Sequence, residues 1–165
     1  MTLEQLWAGW RADFVSEGPR PDCVFCAILQ SGQTDTETHI LWRHPGGSAF
    51  AVLNAYPYTS GHLMVVPVRH VAELEDLTGD ESSAVWSGLA RAVVAVKRAY
   101  RPDGLNLGVN LGRVAGAGIP GHFHVHVLPR WNGDTNFMTT VADTRVIPES
   151  LVDTDARLRV AWSGD

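Results

Sequence analysis

The chain lacks most of the features that would set it apart from ordinary globular proteins. Two cysteines in 165 residues are too few for a disulfide scaffold. No stretch approaches the ~18 consecutive apolar residues of a membrane helix, so no bilayer span is expected. Basic residues are scarce: 13 Lys and Arg against 18 Asp and Glu give a formal net charge of −5. Broad binding to nucleic acid relies on clustered cations that release counterions, and this balance argues against it. A small phosphate-bearing ligand stays open, because a few placed donors suffice. The opening Met1-Thr2-Leu3-Glu4 has neither the basic start nor the apolar centre of a secretory signal, and a cytoplasmic location is expected. Repeats, low-complexity tracts and linkers are lacking too. The length suits one domain that buries roughly two-thirds of its unfolded surface.

What is present reads as an α+β pattern. Thr2 and Gln5 could form a capping box, with Leu3, Leu6, Trp7 and Trp10 on one helical face. Without a basic polar face, this arm over residues 1–22 is expected to pack on protein and not on a membrane. Pro19 and Pro21 end it. Residues 38–43, 48–53 and 62–67 read as strands. Thr78 with Glu81 makes a second capping box, after which Val85, Leu89, Ala92, Val93 and Val96 trace one stripe to about Tyr100. Residues 104–111 and 122–128 alternate as strands, and a weak helical pattern returns around 149–162. About five mainly antiparallel strands, one long helix and short terminal helices are expected.

The chemistry concentrates in Gly121-His-Phe-His-Val-His-Val-Leu-Pro-Arg130. On a strand, His122, His124 and His126 share one face while Phe123, Val125 and Val127 share the other. Such a row could ligate a catalytic metal, could be a solvated polar face, or could present one nucleophilic imidazole between two helpers. The preceding residues 112–121 hold Gly112, Gly116, Gly118 and Gly121, and glycines let backbone N–H groups converge on an anion. A flexible hairpin connection is the plain alternative. Next to three in-line histidines, however, the loop supplies the phosphate cradle that a histidine nucleophile needs.

These residues, with Ser60-Gly-His-Leu-Met-Val-Val-Pro67 upstream, resemble the histidine-triad (HIT) superfamily. The likeness is greatest to its fragile-histidine-triad branch of dinucleoside polyphosphate hydrolases and phosphorylases. It covers residues 23–130 as a HIT core. Trp131-Asn-Gly-Asp-Thr-Asn-Phe-Met and Val146-Ile-Pro148, within the C-terminal extension 131–165, resemble a bacterial group described as diadenosine tetraphosphate phosphorylases. The resemblance implies a HIT-like fold and a homodimer. It makes His124 the nucleophile that forms a nucleotidyl-imidazole, His126 a donor to the α-phosphate, and His62 the residue that orients the imidazoles. It places Asn54 at the ribose, Asn110 facing the phosphates, and Gly116 and Gly118 in the phosphate loop. Neutral imidazole near physiological pH can both attack and leave, which suits two-step transfer. One departure stands out: residues 117–120 are Ala117, Gly118, Ile119 and Pro120, without the hydroxyl or amide that the family commonly carries there. Backbone N–H groups or Arg113 are the substitutes.

Cys23-Val24-Phe25-Cys26 taken alone could be a redox dithiol, half a zinc site or two buried small residues. The resemblance implies structural zinc held by Cys23, Cys26, His70 and His122, a closed shell that braces the triad without taking part in chemistry. His39 and His44 are lesser candidates. The expected activity is cleavage of diadenosine tetraphosphate or a related dinucleoside polyphosphate, with phosphate or water as acceptor. A phosphoramidase or other nucleotidyltransferase is the enzymatic alternative, and a non-catalytic nucleotide- or zinc-binding module is the alternative from another class.

Overall fold

The computed structural model describes residues 23–134 and 149–163. The expected helical arm within residues 1–22 lies outside these residues. The elements run α1 (Val24–Gln30), β1 (Ile40–Arg43), β2 (Ala49–Leu53), β3 (Leu63–Pro67), α2 (Gly79–Tyr100), β4 (Gly104–Gly108), β5 (Val125–Arg130) and α3 (Leu151–Trp162). The five strands form one sheet in the order β1-β2-β3-β5-β4, with every neighbouring pair antiparallel. This is the expected α+β architecture, with one long helix.

Period-two alternation divides the sheet between two cores. Ala49, Ala51, Leu53, Leu63, Val65, Val125 and Val127 face α2 and α3 and join the larger cluster. Phe50, Val52, Met64 and Val66 face the other way and pack with Phe25 of α1. β2 and β3 are therefore buried at every position, which explains their near-continuous apolar character.

The start of α2 follows its sequence signal: Thr78 and Glu81 complete the capping box, and Val85, Leu89, Ala92 and Val96 are buried. Gly88 is required by packing, since a Cβ there would come within 2.7 Å of the Trp42 ring and 2.9 Å of Val65. α3 docks on β1 through Arg159, which pairs with Asp155 and donates to the carbonyls of Asp35 and Ile40. Among the described residues, no helix is long and apolar enough to cross a membrane.

Strand limits differ from expectation most where the site lies. The strand expected over 122–128 begins only at Val125 and runs to Arg130. β3 ends at Pro67, and the β3–β5 ladder covers only Leu63–Val65 against Val125–Val127. The chain before it is held by other partners, with Phe123 N–H donating to Val71 O and His122 Nε2 to Pro67 O. β4 likewise stops at Gly108 and not at 111. α1 was not expected from the sequence, although Phe25, Ile28 and Leu29 stand at helical spacing.

Candidate functional site

The histidines keep the alternation even where the ladder is missing. Phe123 belongs to the α2-side core, while His124 and His126 line a cavity on the α1 side. The cavity has a volume of about 270 Å³, with walls from α1 (Val24, Phe25, Ile28), β2, the segment 54–58 and the loop residues Gly118 and Ile119. Its lining holds no Asp, Glu, Lys or Arg among the described residues. His62, His122, His124 and His126 are all buried.

Hydrogen bonding determines where each imidazole carries its proton. His124 Nδ1 lies 2.8 Å from the His122 carbonyl oxygen, so Nδ1 is the protonated nitrogen and Nε2 keeps its lone pair. The second chain of bonds runs the opposite way. The Tyr58 backbone N–H donates to His62 Nδ1 at 3.0 Å, which leaves the proton of His62 on Nε2. That Nε2–H donates to His126 Nδ1 at 2.9 Å, so His126 carries its own proton on Nε2. The two rings, 4.9 Å apart and nearly perpendicular, thus hold complementary states: a lone pair on His124 and an N–H on His126.

Burial favours the neutral forms that this assignment needs. Desolvation lowers the pKa of His124, with the bond to the His122 carbonyl pulling the other way. Burial, with the charge of His124, lowers His126 to about 4. A buried, neutral, singly oriented imidazole can attack an electrophile without a separate base.

The other expected residues are placed unevenly. Asn54 lines the cavity, but its Oδ1 accepts from Tyr56 N–H at 2.9 Å and its Nδ2 lies 3.3 Å from both nitrogens of His62. Gly118 lines the cavity, whereas Asn110 and Gly116 are not part of the lining. They touch each other instead, the Asn110 amide lying 3.5 Å from the Gly116 carbonyl, and the Gly116 N–H is taken up by Arg113 O. Arg113 is exposed. Phe25 and Tyr58 were not singled out from the sequence, yet both touch the triad. The Phe25 ring lies 5.4 Å from that of His124, and the Tyr58 ring 4.7 Å from that of His62.

The first histidine of the row, His122, faces a different cluster. Cys23, Cys26, His70 and His122 bring their donor atoms within 4.8 Å of one another and could hold a metal ion. The nearest approaches are Cys23 Sγ to His122 Nδ1 at 3.2 Å, Cys26 Sγ to His70 Nδ1 at 3.4 Å and Cys26 Sγ to His122 Nδ1 at 3.8 Å. Because His122 Nε2–H donates to Pro67 O at 2.9 Å, its Nδ1 lone pair is turned towards the sulfurs, as a ligating histidine requires. Burial pushes the Cys26 thiol up, reinforced by the hydrogen bond and charge of Cys23. A cation between the two sulfurs would reverse that effect. His39 pairs instead with Asp155, and His44 accepts from Gly46 N–H in its turn.

A row of alternating histidines leading into a strand beside an apolar cavity, preceded by a glycine loop, is the arrangement of the histidine-triad proteins, and residues 34–133 match the HIT domain family. The chain belongs to that family. It is 42% identical to an AP-4-A phosphorylase of Mycobacterium tuberculosis over 98% of its own length and 85% of that protein. Among solved structures it is similar to a Zn-bound histidine triad family protein from Mycobacterium smegmatis, with a TM-score of 0.69 at 27% identity, covering 86% of this chain and 94% of that one. It is also similar to the C. elegans NitFhit protein, with a TM-score of 0.59 at 26% identity, over 76% of this chain and 27% of the other.

Proposed function

We propose that this protein cleaves dinucleoside polyphosphates, diadenosine tetraphosphate in particular, at the α-phosphate through a nucleotide carried on His124. The observation that carries the reading is the pair of opposite tautomers facing one uncharged cavity, a lone pair on His124 and an N–H on His126. His124 Nε2 forms the bond to the α-phosphorus as the bond to the leaving polyphosphate breaks. His126 Nε2–H stabilises the charge on a non-bridging oxygen. In the second step an oxygen of phosphate or water attacks the same phosphorus and His124 leaves with its lone pair restored. The apolar walls suit a base ring. Within residues 112–121, Gly118 and Ile119 line the cavity and are read as its backbone donors, with Asn54, Asn110, Gly116 and Gly118 assigned to substrate on the family resemblance.

Zinc fits the Cys23, Cys26, His70 and His122 set. With bonds of about 2.3 Å to sulfur and about 2.0–2.1 Å to nitrogen, a tetrahedral shell sets neighbouring donors roughly 3.3–3.8 Å apart. The closest donor pairs here lie at 3.2, 3.4 and 3.8 Å. Bound there, zinc would have all four positions filled by protein and would support the fold, with none left for substrate. We read the chain as one HIT-like domain acting as a homodimer. β4 stands at the edge of the sheet, with Leu107, and Val109 and Leu111 just beyond it, exposed. An open apolar edge of that kind invites pairing with a second copy.

Product analysis tests the activity. Phosphorolysis of diadenosine tetraphosphate yields adenosine diphosphate and triphosphate, while hydrolysis yields the monophosphate and triphosphate. The name of the mycobacterial relative favours phosphorolysis, so added phosphate should intercept the His124 adenylate in place of water and give diphosphate instead of monophosphate. A product ratio insensitive to phosphate would make water the acceptor, and no cleavage at all would remove the reading.

A further inference from the structure

Tyr58 has two separate contacts with the histidine relay. Its backbone N–H donates to His62 Nδ1, and its ring lies 4.7 Å from the His62 ring and 5.8 Å from the His126 ring. The residue is 42% exposed, whereas His62 and His126 are 1% and 6% exposed. It is therefore the boundary between the buried imidazole pair and solvent. Its segment is held in place at both ends. Asn54 Oδ1 ties down Tyr56 N–H, and Gly61, at φ +79°, turns the chain into β3 where any Cβ would meet the Tyr100 ring at 2.7 Å.

On the nucleotidyl-transfer reading above, we propose that Tyr58 is a positioning residue: its amide sets the proton of His62, and its ring keeps the His62–His126 hydrogen bond dry and aligned, so that His126 presents an N–H to the α-phosphate. The physical ground is that an imidazole–imidazole bond in water competes with solvent for both nitrogens, and either ring can then rotate or take the other tautomer. In a dry site the order set at Tyr58 passes through His62 to His126 without loss. The groups facing His126 are His62, His124 and Tyr58. Its partners across the sheet are Met64 and Gly108, and no carboxylate or cation lines the cavity among the described residues. Dryness is thus the main control on its state, in agreement with burial as the leading cause of its low pKa.

The test compares wild type, Tyr58→Phe and Tyr58→Ala by imidazole nitrogen NMR on the full chain without substrate, together with turnover of diadenosine tetraphosphate. Wild type and Tyr58→Phe should show His126 in one tautomer with the proton on Nε2, and should resist protonation into acid. Tyr58→Ala should show mixed tautomers and a His126 titration moved up towards the ordinary histidine range. Its kcat should fall on the order of tenfold, with KM changed much less, as expected for lost preorganisation. A purely structural tyrosine would lower the melting temperature without moving the tautomer or the acid limb of kcat, and that result overturns the proposal. So does a Tyr58→Phe protein as impaired as Tyr58→Ala, which would transfer the role to the hydroxyl. If wild type turns over no substrate, the proposed activity fails, while the NMR comparison still decides the role of Tyr58.

Discussion

The side chain of His122 faces the cysteines while its carbonyl oxygen accepts the Nδ1 proton of His124. One residue thereby joins the Cys–His cluster that could hold a metal to the imidazole of His124. If His124 is the nucleophile, His124→Asn should fold and bind nucleotide but lose turnover by orders of magnitude, because an amide cannot form and release a phosphoramidate. If His126 is the transition-state donor proposed above, its replacement by Ala should slow the reaction on the order of 10²–10³-fold. Rapid acid-free quenching of wild type should reveal a nucleoside monophosphate on the peptide containing His124, acid-labile and base-stable, and none on His124→Asn. Substantial turnover by His124→Asn would return the row to the metal-ligand or polar-face readings. At this scale the sequence made the three histidines and both cysteines legible by type and spacing. Tyr58 was not legible, because its contacts depend on how residues 54–61 fold back over His62.

α2 carries the clearest local code in the chain. Its capping box was readable from Thr78 and Glu81, but the Arg69 guanidinium that grips both Glu81 oxygens at 2.7 Å comes from the segment before it. Thr78→Ala should lower stability by about 1 kcal/mol. Arg69, followed by the hydrogen bonds of Thr78, lowers the Glu81 carboxyl from 4.5 to about 2. A carboxylate held below its unfolded value contributes stability that is complete above that value and is lost as pH falls through the folded one. The gap in denaturant stability between wild type and Glu81→Gln should therefore be constant above pH ~5 and shrink between about 4.5 and about 2. A gap unchanged across that range would show that the carboxylate charge contributes nothing. β5 shows the limit of local reading. Alternation identified its two faces, but Pro67 ending β3 and Val71 holding Phe123 moved its start to Val125.

For the whole molecule, the four side chains from α1 and the residue before it, the segment after β3 and the approach to β5 tie together parts of the chain up to 99 residues apart. A metal bound across such separated residues stabilises by its binding free energy, because the site that holds it does not exist in the unfolded chain. Purified protein should hold about one zinc per chain. Chelation or Cys26→Ser that removes ~3 kcal/mol should lower the melting temperature by roughly 6–12 °C for a chain of this size. Metal-free protein with an unchanged melting temperature would leave the four residues as a hydrogen-bonded cluster only. A catalytic metal predicts something else, activity that tracks occupancy at constant stability.

The sequence by itself determined which residues share a face, where the long helix begins, and that a glycine-rich loop precedes the histidines. These are properties of local periodicity and of end groups a few residues apart, so they survive without knowledge of the fold. Only the tertiary structure decided which nitrogen of each histidine holds its proton, that His122 turns to the cysteines while His124 and His126 turn to the cavity, and that Asn110 and Gly116 lie outside the cavity lining. Each of these depends on a partner supplied elsewhere in space: a carbonyl at Pro67, an amide at Tyr58, a helix bearing Phe25 and Cys26. The energy of such contacts comes from burial and direction, and neither exists until the chain is folded.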